Sequence, residues 1–159
     1  MKIPLTVLAI LIFITAYGQN QKYKKVLKSN FINIRNLTVF EFLEVLKLEQ
    51  INSKEPIRTL TVGGIQTTTD WVKANEIDSL ISLMSSIEPA KCITSPLSPY
   101  VELIENSTIG GQVIVILEAY KNGREYPFNL TICGKIDKAR IAEIKQWWKQ
   151  EKNRNRDLR

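Results

Sequence analysis

Asn122-Gly123 lies between two β-rich runs, Gln112 to Tyr120 and Glu125 to Cys133. A type I′ turn needs positive φ at both central residues, so Asn-Gly between such runs is the strongest short-range signal for a β-hairpin. A two-residue turn also fixes the register. It sets Ala119 opposite Tyr126, Leu117 opposite Phe128, Val115 opposite Leu130 and Val113 opposite Ile132. All eight residues are apolar and share one face of the sheet. The other face is mixed and carries Ile114, Ile116 and Tyr120. Pro127 has no N–H to donate, so Tyr126 to Asn129 is expected at an edge or a bulge.

The rest of the chain supplies helices to cover such a sheet. Thr38 and Glu41 have the spacing of a capping box, and Leu37 and Phe42 that of a hydrophobic staple. A helix is expected from Leu37 to Gln50, with Val39, Phe42, Leu43 and Leu46 as its buried stripe. Ile57 to Val62 reads as a strand. A second helix, about Lys73 to Ser86, carries Ile77, Leu80, Ile81 and Met84 on one side and stops before Pro89. Tyr100 to Ile104 reads as another strand. Asp137 is a helix N-cap for a last helix to about Glu151, with Ile141, Ile144 and Trp148 on its stripe and Trp147 beside it. The expected fold class is α+β: an antiparallel β-meander with an Asn-Gly hairpin, packed by about three helices.

The 159 residues suffice for one domain. Met1-Lys2, the apolar run Ile3 to Thr15 and the small residues Ala16 and Gly18 have the form of a secretory signal peptide cleaved after Gly18. The run is shorter than the ~20 residues a spanning helix needs. The expected organisation is a signal peptide over 1–18, a basic N-terminal arm over 19–35, an α+β domain over 36–152 and a basic disordered tail over 153–159. Export makes an even cysteine count informative, and Cys92 and Cys133 are expected to form a disulfide.

The formal charge is +6, and it is concentrated at the ends. Lys22, Lys24, Lys25, Lys28 and Arg35 lie in the arm; Lys149, Lys152, Arg154, Arg156 and Arg159 lie near the C-terminus. Such termini can make weak contacts with an anionic surface. An exported protein seldom meets nucleic acid, so none is expected as a partner. Oligomeric state is left open.

There is no histidine, which removes the usual Ser-His-Asp and Cys-His machinery and the commonest zinc ligand. No cofactor is expected. Glu102, Glu105, Glu118 and Glu125 could serve carboxylate chemistry, but nothing marks them as buried or convergent, and a solvated face is the expected reading. Gly63-Gly64 and Gly110-Gly111 lack the following lysine of a phosphate loop and read as turns. Three Asn-X-Thr/Ser triplets, at Asn36, Asn106 and Asn129, matter only in a eukaryotic secretory pathway.

Trp71-Val72, Ser95-Pro96-Leu97-Ser98, Ser107-Thr108-Ile109-Gly110-Gly111 and Tyr126-Pro127 together resemble small exported envelope proteins of Gram-negative bacteria with no assigned activity. The resemblance spans roughly Trp71 to Leu130 and rests on short motifs. It implies an envelope setting and an α+β domain, and it supplies no catalytic residues. The leading functional expectation is a non-catalytic interaction protein, such as an immunity or inhibitor protein binding one protein partner in the envelope. Ile114, Ile116, Tyr120 and Trp147 are its candidate contact residues. A ligand- or glycan-binding module using an exposed tryptophan is the alternative, and a carboxylate-based hydrolase the third reading.

Overall fold

The structure, a computed structural model, describes residues 31–47, 59–63, 67–98 and 107–157. The expected signal peptide, the arm up to residue 30, the strand from Tyr100 to Ile104, and Glu102 and Glu105 lie outside the described residues.

The described chain is α+β. Its elements are β1 (Phe31–Ile32), α1 (Val39–Leu46), β2 (Thr59–Val62), α2 (Ile77–Leu83), β3 (Pro89–Ala90), β4 (Cys92–Thr94), β5 (Ser107–Thr108), α3 (Ile109–Lys121), β6 (Thr131–Ile132) and α4 (Lys138–Asp157). Short 3-10 turns, Ile34–Asn36 and Ala74–Glu76, lead into α1 and α2. One sheet has the order β1-β2-β4-β6, and β3 pairs with β5 in a second, two-stranded sheet. β1, β2 and β4 are parallel; only β6 runs antiparallel, pairing Ile132 with Ile93 and Thr131 with Thr94. Parallel neighbours need long crossovers, and α1 and α2 lie within them.

The meander and its Asn-Gly hairpin are not what forms. Ile109 to Lys121 is a helix, and it runs through the centre of the molecule, packed on α1, α2 and α4. Ten of its thirteen residues are buried, which is why no helical period of polar residues marks it in the sequence. Burial on every side overrides the β preference of Val113, Ile114, Val115 and Ile116. Asn122 and Gly123 end this helix. Gly123 has φ of 58°, Arg124 N–H donates to Ala119 O at 2.9 Å, and Gly123 N–H donates to Tyr120 O at 3.1 Å. This is a Schellman motif, and it needs the same left-handed glycine that a hairpin turn needs.

The start of α3 is equally well satisfied. Thr108 Oγ1 accepts from Gly111 N–H at 3.0 Å. Gly110 N–H donates to Ser86 O and Ile109 N–H to Glu88 O. A Cβ on Gly111 would lie 2.1 Å from Gly134 O, so the helix start and the segment after the disulfide touch backbone to backbone. The two glycines are turn-like in neither place; they permit close approach.

Other expectations hold in outline. Thr38 and Glu41 form the capping box of α1, and Leu37 and Phe42 are both buried. Lys91 closes the other end of α1, its N–H donating to Leu46 O and its Nζ to Val45 O. Cys92 and Cys133 are joined, with Cα atoms 4.5 Å apart. Asp137 Oδ1 accepts from Ala139 and Arg140 N–H and caps α4. Two expected boundaries move. Ile34 is fully buried, so the end of the N-terminal arm belongs to the fold. α4 continues to Asp157 through the residues expected to be a disordered tail, because 150–156 holds good helix formers, no Gly or Pro, and an Arg154–Glu151 ion pair. No helix among the described residues is long and apolar enough to cross a membrane.

Candidate functional site

The residues that matter are placed by a buried polar seam. Gln112 is wholly enclosed, and its Nε2 donates to Lys91 O at 3.1 Å, Ser107 Oγ at 3.0 Å and Ile132 O at 3.3 Å. Its Oε1 accepts from the Tyr126 hydroxyl at 3.3 Å. One amide thus ties α3 to the residue joining β3 and β4, to β5, to β6 and to the segment carrying Tyr126. Unsatisfied, such a buried amide would cost several kcal/mol, about 2 or more; here its donors and acceptor are all engaged. Burial pushes the Tyr126 hydroxyl well above the ordinary phenol range, so it stays protonated and acts as a donor.

Tyr126 is also held from its backbone side. Thr67 N–H and Thr67 Oγ1 both donate to Tyr126 O, at 2.8 and 2.9 Å, and Tyr126 N–H donates to Thr67 Oγ1 at 3.1 Å. The peptide bond between Tyr126 and Pro127 is cis. Tyr126 to Asn129 forms an irregular segment before β6, which is the last strand in the order β1-β2-β4-β6. The Trp71 ring stacks on the Tyr126 ring at 5.7 Å with planes 11° apart. Phe42 meets both rings edge-on, at 5.7 and 5.8 Å. Trp71 Nε1 donates to Leu37 O at 2.8 Å, which satisfies the indole and anchors it to the entry of α1.

Above this trio is a shallow open recess, lined by Thr67 to Thr69, Trp71, Val72, Ile116, Ala119, Tyr120, Arg124 and Tyr126. Small-molecule pockets usually enclose ~300–1,000 Å³; this recess is a shallow dimple with room for little more than a water molecule, so it presents a contact surface rather than an enclosing pocket. Its titratable side chains are Tyr120, Tyr126 and Arg124. Arg124 directly follows the Schellman glycine, is exposed, and has no ion-pair or hydrogen-bond partner for its guanidinium among the described residues. The recess therefore offers an aromatic wall, exposed threonines and one unneutralised cation.

The four candidate contact residues separate. Ile114 and Ile116 are core, 0% and 1% exposed, covered by this chain's own elements. The sheet face assigned to them does not exist, and with it goes the surface contact proposed for them; Ile116 reaches only the floor of the recess. Tyr120 is half-buried at the recess, its ring edge-on to Trp147 at 6.2 Å. Trp147 is half-buried against Trp148, at 5.7 Å, and Trp148 is the buried member of the pair, donating from Nε1 to Asp78. Glu118 is engaged by Arg140 through both guanidinium nitrogens it faces. Glu125 is exposed. Among the described residues, no group of three or more His, Cys, Asp or Glu side chains is placed to hold a metal ion.

Sequence reasoning passed over Arg124. The joint presence of Trp71-Val72 and Tyr126-Pro127 was the available signal, since those two pairs meet in the stack beneath the recess. Set against known proteins, the chain matches no family model, no curated protein and no solved structure.

Proposed function

We propose that the protein is an exported, non-catalytic interaction protein of the bacterial envelope, of the immunity or inhibitor kind, which binds one protein partner. The recess of Trp71, Tyr120 and Arg124 is the observation that carries this reading. Binding energy at protein interfaces is concentrated in a few residues, enriched in Trp, Tyr and Arg. The recess has these three residue types and a floor fixed by the Trp71–Tyr126 stack and the Thr67 hydrogen bonds. Arg124 selects for an acidic group at that contact. The Cys92–Cys133 disulfide supports an oxidising compartment, and export after Gly18 would deliver the chain there.

Site-specific photo-crosslinking in intact cells tests this. A crosslinking residue at position 120 or 124 should yield one discrete protein adduct, and the same residue at exposed Lys73 should not. An identical adduct pattern from all three positions would sink the proposal. Saturable binding of a free sugar at the recess, with no protein adduct, would move the assignment to a glycan-binding module.

A further inference from the structure

α4 carries a second surface whose chemistry differs from the recess. Lys138, Lys145 and Lys149 are all exposed. At 100° per residue they fall within about 40° of one another around the helix axis, at spacings of roughly 10 Å and 6 Å along it. None has a hydrogen-bond or ion-pair partner among the described residues. Among the described side chains, the neighbouring cations are paired: Arg140 with Glu118, Lys152 with Asp78, Arg154 with Glu151 and Lys121 with Glu143. Two of the helix's acids, Glu143 and Glu151, lie on the opposite flank and are used in those pairs. A straight row of three unneutralised ammonium groups is left, and the exposed residues beside it are Ala142 and Gln146.

We infer that this row docks the protein on an anionic phospholipid bilayer. The reasoning is charge complementarity combined with the lack of any register-fixing feature. An acidic protein face would have to match three fixed charges, and the neighbouring Ala142 offers nothing to hold it in place. Headgroups in a fluid leaflet rearrange laterally to meet whatever spacing the lysines present. No large apolar side chain lies in the row, so the contact is electrostatic, shallow and weakened by salt. It would set the protein on a membrane by one flank of α4, leaving Trp147 and the recess on the other.

The test is co-sedimentation of the signal-cleaved chain with vesicles of phosphatidylcholine containing phosphatidylglycerol, against vesicles of phosphatidylcholine alone. Binding should require phosphatidylglycerol and fall as salt is raised. Each basic side chain near such a surface contributes a factor of about 5, so Lys145→Gln should weaken partition roughly 5-fold and the triple change K138Q/K145Q/K149Q roughly 100-fold. The off-row change Lys73→Gln should have no effect of that size. All these side chains are exposed, so melting temperatures should not move. Three outcomes overturn the inference: no binding to phosphatidylglycerol vesicles, equal binding to phosphatidylcholine alone, or a triple variant that binds like the parent. Capture of an acidic protein by the row, without vesicle binding, assigns it to a protein and overturns it too. These readouts do not involve the recess, so this inference and the proposed function fail independently.

Discussion

Gly111→Ala puts opposing effects on one atom. In an ordinary helix the change would stabilise by about 1 kcal/mol, because alanine loses less entropy than glycine on becoming helical. Here the added Cβ would lie 2.1 Å from Gly134 O and 2.2 Å from its carbonyl carbon. Heavy atoms in contact prefer ~3.5–4.0 Å, so two backbones must part by more than about 1 Å. Overpacking of this kind costs ~1–3 kcal/mol. The Gly134 carbonyl also accepts from Thr108 N–H at 3.0 Å and Ser107 Oγ at 3.1 Å. Weakening those two bonds adds ~1 kcal/mol each. The net expectation is a loss of about 3 kcal/mol, or roughly 10 °C in melting temperature for a chain of this size. Thermal and urea unfolding of the oxidised protein measure it. Gly123→Ala is the control: its Cβ meets nothing within 4 Å, and only the φ of 58° opposes it, so it should cost nearer 1 kcal/mol. A Gly111→Ala protein as stable as the parent, or more so, would refute the backbone contact and the placement of α3.

The disulfide and the α2–α4 contact give two further expectations. Cys92 and Cys133 are 41 residues apart, so C92A/C133A should cost about 4 kcal/mol if the loop-entropy account applies; denaturant unfolding of oxidised parent against variant checks it, and a loss under about 1 kcal/mol would contradict it. The Lys152 ammonium, then the Trp148 indole, hold the Asp78 carboxyl below the usual carboxylate range. A folded pKa that is depressed contributes stability above the unfolded value of about 4 and loses it as pH falls through the folded value. Asp78→Asn should therefore flatten the melting-temperature profile on the acid side of pH 4, and an unchanged acid profile would rule the contribution out.

Local chemistry was legible wherever a side chain bonds its own backbone neighbourhood. The Thr38–Glu41 box and the Asp137 cap are set within four residues, and they form as their spacing dictates; the second helix, expected to about Ser86, ends at Leu83, well before Pro89. The central helix was not legible, for two physical reasons. A helix buried on all sides has no polar face, so Gln112 to Leu117 shows no period to distinguish it from a strand. Asn-Gly reports only that the backbone can enter the left-handed region, and a helix end uses that as readily as a hairpin does. Thr108 was the missed start signal: its hydroxyl caps Gly111 three residues on. The error then propagated to function, because the face assigned to Ile114 and Ile116 depended on the hairpin register. Tyr120 enters the proposed contact for a different reason, since it lines the recess from the last turn of α3.

The central claim is that the recess anchors a protein partner through Arg124. Its most direct measurement is the affinity of the crosslinked partner, once purified, for the parent and for Arg124→Glu. Arg124 is exposed and no side-chain partner among the described residues engages it, so the change should leave the melting temperature within about 1 °C. Reversing a hot-spot charge should raise Kd by more than about 10-fold. An unchanged Kd in a variant of unchanged stability would contradict the account.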